Sequence, residues 1–261
     1  MSAPVVQVET RGAVALVTLN RPDSGNALNL QVAMDLLAAA MTCARNATVR
    51  AVVLTGAGRD FCFGGDLRAF GTHAPGGDDY IRELTTYLHA AISQFVRMDA
   101  PVIAAVNGTA AGAGVGLAAM ADLALCGRSS KFNLAYTQAG LTPDAGTTFL
   151  LPRMLGLKRT MELLLLNRAL PAEEALSWGL VNEVVADEQL LARALEVAEK
   201  LASGASAAFG ATKRLIAHSL GAFESQMVLE SETIARHAVG EEGREGVSAF
   251  LAKRQPVWTG R

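Results

Sequence analysis

The residues of chemical interest in this chain are mostly small. Gly112, Gly114 and Gly116 stand at the mouth of a helix-forming Leu/Ala/Met segment, directly after the β-branched run Val102, Ile103, Val106 and the pair Asn107-Gly108. The pattern predicts buried strand, tight turn, helix. Glycine lets backbone approach a ligand closely, and the first N–H groups of a helix have no partner within it, so such a mouth can hold developing negative charge. The same small residues would equally serve tight packing of helix on sheet, and this stretch alone leaves both uses open. A second mouth repeats the logic: the apolar run Arg50 to Thr55 empties into Gly56 to Asp66, with Phe63-Gly64-Gly65-Asp66 before the next helix. Two such mouths imply one shared site. Pro143-Asp144-Ala145-Gly146 has turn chemistry and carries an acid, which either stabilises its own turn or does proton chemistry.

Other reactive side chains form no recognisable constellation. Cys43, Cys62 and Cys126 are far apart and lack metal-ligand or disulfide spacing, which predicts free, buried thiols and no metal site. His73, His89, His218 and His237 show no triad spacing and read as surface or core residues. Gly112, Gly114 and Gly116 give GxGxG without the third glycine or the acidic strand end of a dinucleotide fold.

The elements that position these residues follow from periodicity. Residues 5–19 read as a hairpin, Asn29 as the cap of a helix with Leu30, Met34, Leu37, Ala38 and Met41 on one face, and residues 71–78 as an insert lining a pocket. An amphipathic helix follows, with Ile81, Leu84, Leu88, Ile92 and Phe95 at helical spacing. Strands are expected at 123–126 and 181–185, and helices at 150–155, at 158–167 and from Pro171, placed at the first helical position. Beyond Asp187 the β-character ends, and 187–203, 205–219, 221–238 and 243–253 read as helices. The division drawn is a mixed core over 1–197 and a helical region over 198–261, whose surplus apolar surface suggests other subunits.

Composition narrows the partners. With 261 residues, 51% hydrophobic and 18% charged, the chain can bury a large core; its net charge of −2 offers no basic stripe for nucleic acid and no polybasic membrane patch. The apolar stretch 102–126 is broken by Asn107 and Asp122, unlike a membrane span, and MSAPVVQVET lacks the build of a secretory signal, so a cytoplasmic protein acting on a small molecule is expected.

Taken together, the chain resembles the crotonase (enoyl-CoA hydratase/isomerase) superfamily over essentially its whole length. The resemblance rests on Asn20-Arg21-Pro22 with Asn26-Ala27-Leu28, on Phe61 to Asp66, on Asn107-Gly108 with Gly112-Ala113-Gly114, on Gly140 to Gly146, and on the terminal Gly246 to Arg254. It implies an α/β fold, a crotonase-like spiral of ββα units with a C-terminal α-helical oligomerisation region, assembling as homotrimers or dimers of trimers. It implies an acyl-CoA thioester as ligand and no separate cofactor, since coenzyme A is part of the substrate. It places an oxyanion hole on the backbone N–H groups of Gly65 and Ala113, and substrate or coenzyme A contacts on Arg21, Phe63, Gly64, Asp66, Gly112, Gly114, Tyr136, Phe250 and Lys253. Phe250 and Lys253 match tail positions that meet coenzyme A of a neighbouring subunit. Asp66 is also expected to order its own loop.

The chain departs from the family's hydratases where they carry two glutamates: Gly116 and Tyr136 occupy those positions. Water addition needs one group to activate water and another to protonate carbon, so hydration is disfavoured. The remaining matching carboxylate is Asp144. In this the chain resembles ring-1,2-epoxyphenylacetyl-CoA isomerase-like members, which implies an isomerase with Asp144 as single acid/base. The alternatives are a hydratase-type lyase and a non-catalytic acyl-CoA-binding member.

Overall fold

The apolar runs of the sequence pair with one another in parallel, and the chain winds between two sheets as it does so. The structure is a computed structural model that describes residues 4–73, 77–219 and 223–257. Strands β1 (Val6–Arg11) and β2 (Val14–Leu19) form the expected hairpin. Helix α1 (Leu30–Arg45) starts at Asn29, whose side chain accepts from Val32 N. Next come β3 (Ala51–Gly56), the short α2 (Leu67–Thr72), the long α3 (Gly77–Arg97) and β4 (Val102–Val106). The organising stretch continues as β5 (Thr109–Ala111) and α4 (Ala113–Ala119), then β6 (Leu123–Gly127) and β7 (Lys131–Asn133). Helices α5 (Thr147–Leu155) and α6 (Leu157–Leu166), strand β8 (Leu170–Pro171), helix α7 (Ala172–Trp178) and strand β9 (Glu183–Val185) close the mixed part. Helices α8 (Leu190–Ala202), α9 (Ser206–Ser219), α10 (Phe223–Ala238) and α11 (Glu241–Leu251) complete the chain.

The larger sheet has the order β1-β2-β3-β4-β6-β9, parallel beyond the first hairpin, and the smaller has the order β5-β7-β8. After β4 and again after β6 the chain steps from the large sheet to the small one, and Cys62, after β3, bridges in parallel to Ala110 of β5. Successive windings of this spiral therefore lie in register. Every residue of β3 and β4 is buried, as parallel strands covered on both faces require. Val52, Leu54, Ala104 and Val106 face α1 and α3, whereas Val53, Ile103, Ala105 and Leu125 face Leu190, Ala194, Ala198 and Ala202 of α8.

Three sequence expectations change. Pro171 precedes α7 as its cap residue, one position earlier than expected, with extended backbone. The division after residue 197 falls inside α8, a continuous helix whose alanine stripe packs against the sheet. In the insert, residues 74–76 lie outside the described residues, and Gly77 and Asp78 already belong to α3. All three cysteines are free and buried, as read from their spacing. Among the described residues no helix is long and apolar enough to cross a membrane. Leu157 and Leu165 on α6, Leu215 on α9 and Val228 on α10 leave more than half of their surface exposed in the single chain.

Candidate active site

The two glycine mouths meet. Gly64 has φ +78°, and a Cβ there would stand 2.7 Å from Ala111 O and 3.1 Å from Ala113 N, so only glycine permits this approach. Gly114 has the same role one step on: its Cβ would lie 2.2 Å from Cys62 O. Two asparagines lock the loops behind them. Asn26 donates to Ala57 O (2.9 Å) and Asp60 O (2.7 Å), and Asn107 accepts from Gly56 N (3.1 Å) while donating to Gly56 O (3.0 Å). Each such bond contributes about 1 kcal/mol, and leaving these groups unpaired would cost more.

Within this junction Gly65 and Ala113 are equivalent positions. Cys62 and Ala110 are bridged, and each is followed three residues later by one of the pair. Leu28 donates to Gly64 O at 2.7 Å and accepts from Asp66 N at 2.9 Å, so the intervening Gly65 turns its own N–H away from Leu28. Ala113 is the first residue of α4, where an N–H has no partner in the helix. Neither N–H donates to another described residue, and both residues line one cavity of about 840 Å³.

The mouth is braced by an ion pair. Arg21 Nη1 and Nη2 each donate to Asp66 Oδ2 at 3.0 Å, and Nη1 also donates to Ala27 O. Arg21 lines the cavity while held in this brace. Asp66 orders its loop as expected, accepting from Ala69 N to cap α2. Phe63, Gly112 and Phe250 also line the cavity, Phe250 that of its own chain, while Gly64, Gly114 and Lys253 do not. Of the insert, Thr72 does.

Asp144 lines the same cavity while only 4% exposed. Tyr136 Oη donates to Asp144 Oδ1 at 2.7 Å. Burial pushes the Asp144 carboxyl up to about 7, against the pull of the Tyr136 hydrogen bond and aided by the negative charge of Glu230. The same burial and the neighbouring carboxylate push the Tyr136 phenol well above its usual value. Tyr136 was expected at a substrate contact; the structure gives it both the cavity wall and the acid.

Two partners of Asp144 escape a reading of the sequence. His89, from α3, is buried with Nε2 4.0 Å from Asp144 Oδ2, and burial pushes it down to about 4, so it is neutral at neutral pH. Its Nε2 accepts from Ala145 N at 3.3 Å, which leaves the ring proton on Nδ1, toward the Met227 backbone. Glu230, from α10, accepts from Gly146 N at 2.8 Å and from Thr148 N at 3.2 Å. Both stand where a helix buries one face: Met227, Glu230 and Ile234 share a side of α10, and Thr85, His89 and Ile92 a side of α3. A polar residue inside an apolar stripe was the available signal. Of the remaining histidines, the His218 side chain lies outside the described residues, and His73 stacks on Tyr80 at 3.9 Å.

Gly116, the position a hydratase fills with glutamate, abuts this turn. A Cβ there would stand 2.6 Å from Ala145 O and 2.8 Å from Ala145 Cβ, so the acid turn takes the space a side chain would need. Among the described residues no cluster of metal-ligating side chains occurs.

Known proteins share this sequence pattern and fold. Residues 9–261 match the family model described as enoyl-CoA hydratase/isomerase. The chain is 38% identical over 250 residues to the 1,2-epoxyphenylacetyl-CoA isomerase of Escherichia coli K12, covering 95% of each. It is 39% identical over 262 residues to a Rhodobacter capsulatus protein named "probable enoyl-CoA hydratase", covering 100% of each. The solved structure of a carnitinyl-CoA hydratase from Mycobacterium avium superposes with a TM-score of 0.88 at 37% identity, covering 100% of each chain. With the two-sheet spiral, the paired glycine mouths and the helical C-terminal region, these matches make the chain a member of the enoyl-CoA hydratase/isomerase family, with the crotonase fold.

Proposed function

We propose that the protein is an acyl-CoA isomerase that moves a double bond, or rearranges an epoxide, through an enolate. The observation that carries this reading is a single buried carboxyl, Asp144, raised to about 7, on the same cavity as two unused backbone N–H groups. A thioester oxygen held by Gly65 N–H and Ala113 N–H gains charge when a proton leaves the adjacent carbon. Donors fixed in advance stabilise that charge, typically by about 3 to 4 kcal/mol each. Asp144 as carboxylate takes the proton from one carbon and, as acid, returns it to another, so no net proton is consumed. A pKa close to the working pH serves both halves of the shuttle.

Two further features support isomerisation over hydration. Hydration needs a second group at the substrate, and His89, the nearest candidate, does not line the cavity and spends Nε2 on Ala145 N. The space near Gly116 is taken by Ala145. The apolar wall of Ile81, Leu84, Leu88, Leu141 and Ile234 suits an acyl or aryl chain. Arg21 and Phe63 at the mouth, with Phe250 and Lys253 of the tail, are proposed to meet coenzyme A, in a homotrimer or dimer of trimers in the cytoplasm.

The test offers the purified protein 3-enoyl-, 2-enoyl- and epoxidised aromatic acyl-CoAs and follows double-bond migration and water addition by absorbance and mass. Isomerisation lost in Asp144→Asn is the expected result. Hydration at enzymatic rates that survives this substitution would overturn the reading, and no turnover in either protein would point to a binding role.

A further inference from the structure

The turn that carries Asp144 is only partly held by its own neighbours: Thr147 N and Oγ1 donate to Asp144 O at 3.1 and 2.7 Å. Gly146, the residue before α5, has φ +76° and offers no side chain to cap that helix. Thr147 N and Phe149 N find Asp144 O and Gly146 O, but Gly146 N and Thr148 N have no acceptor within the turn, a cost a fold does not leave unmet. They are met from elsewhere in the chain. Glu230 accepts from Gly146 N with Oε2 and from Thr148 N and the Thr148 hydroxyl with Oε1, while Gln226 donates to the same hydroxyl. Glu230 is 3% exposed, and its bonds from Gly146 N, Thr148 N and the Thr148 hydroxyl all come from the segment that begins with Asp144.

We propose that Glu230 is a positioning residue of this site: from α10 it grips the backbone of Gly146 and Thr148 and so fixes where the Asp144 carboxyl stands in the cavity. The inference rests on the reading of Asp144 as the acid/base. It gives α10 a task in the chemistry although, of the two carboxylates, only Asp144 lines the cavity. The second effect is electrostatic. The titratable groups facing Asp144 are Tyr136 after β7, His89 of α3 and Glu230 of α10. Tyr136 and His89 are neutral at neutral pH, whereas Glu230, its own carboxyl pushed up by burial, adds negative charge when ionised, and a negative neighbour holds a proton on Asp144 to higher pH.

The test is a titration that does not depend on turnover. The carboxyl band of Asp144 is assigned by difference infrared spectroscopy as the band missing in Asp144→Asn, and its midpoint is followed in Glu230→Gln. The expected result is a midpoint moved to lower pH by about half a unit or more. A kcat for 3-hexenoyl-CoA lowered about tenfold with KM changed less than about twofold should accompany it, because a misplaced base affects the reacting step. Glu224→Gln removes an equal charge from the same helix, where Glu224 pairs with Arg97 near the surface, and should leave midpoint and kcat unmoved. Glu230→Asp keeps the charge but shortens the reach, and should hold the midpoint while lowering kcat; it also serves if Glu230→Gln does not fold. A midpoint and kcat unchanged in Glu230→Gln, or a shift equalled by Glu224→Gln, would overturn the proposal. If instead Asp144→Asn keeps full isomerase activity, the assignment of the acid/base fails while the infrared coupling still stands or falls by itself.

Discussion

The phenol of Tyr136 donates a 2.7 Å hydrogen bond to Oδ1 of Asp144, with both side chains buried at the cavity wall. Such a bond favours the ionised carboxylate and opposes the burial that raises its pKa. Tyr136→Phe should therefore raise the Asp144 pKa above about 7. The acidic limb of kcat against pH should move to higher pH, with activity at neutral pH reduced and largely recovered on alkalinisation. A pH–rate profile of both proteins checks this; an unmoved limb would separate Tyr136 from the proton chemistry.

Stability should report the same acid. Asp144 is raised from 3.8 to about 7 in the folded protein, so between these values the folded state holds a proton that the unfolded chain has lost. The stability it contributes is complete below the lower value and is lost as pH rises through the higher one. Asp144→Asn, neutral throughout, should lack this decline. The melting temperature of the parent should fall relative to the variant from about pH 4 to about pH 7 and run parallel above it.

The glycine mouths predict a sharp loss on a small change. Gly64→Ala places a Cβ against Ala111 O and Ala113 N at a backbone angle that disfavours side chains. The two donor segments must then separate, and kcat should fall by about 100-fold, as on loss of one oxyanion donor. Steady-state kinetics on an isomerising substrate, with circular dichroism to establish folding, makes the comparison.

Gly116→Glu should not restore a hydratase. Its Cβ alone collides with Ala145, so the variant is expected to lose about 1 to 3 kcal/mol of stability and to displace the turn bearing Asp144. Thermal denaturation and a water-addition assay decide the point. Appearance of hydration without loss of isomerisation would contradict it.

The strands and the two mouths were legible because their signals are local: β-branched runs, turn pairs and glycines at fixed offsets; the spiral that joins them was implied by the family resemblance. Asp144 was legible for the same reason, being part of a short turn motif. His89 and Glu230 were not, because they reach Asp144 from α3 and α10, roughly 55 residues before it and 86 after it. On each helix they occupy the core-facing side, where periodicity anticipates an apolar residue and assigns polar ones to the solvent. Arg21 read only as a substrate or coenzyme A contact, because its partner, Asp66, lies 45 positions away. The 197/198 division was placed where β-character fades, a compositional change that α8 crosses without interruption.

The parallel bridge between Cys62 and Ala110 has one more consequence. Because Gly65 and Ala113 follow it by equal counts, the gap between their N–H groups is ruled by sheet register, while Ile81, Leu84 and Leu88 of α3 line the apolar wall proposed for the acyl chain. Selectivity and reactivity are thereby mounted on separate parts. The wall can be recut for another acyl chain with the donors undisturbed, whereas inserting a single residue between Ala110 and Ala113 would put them out of step, whatever the substrate.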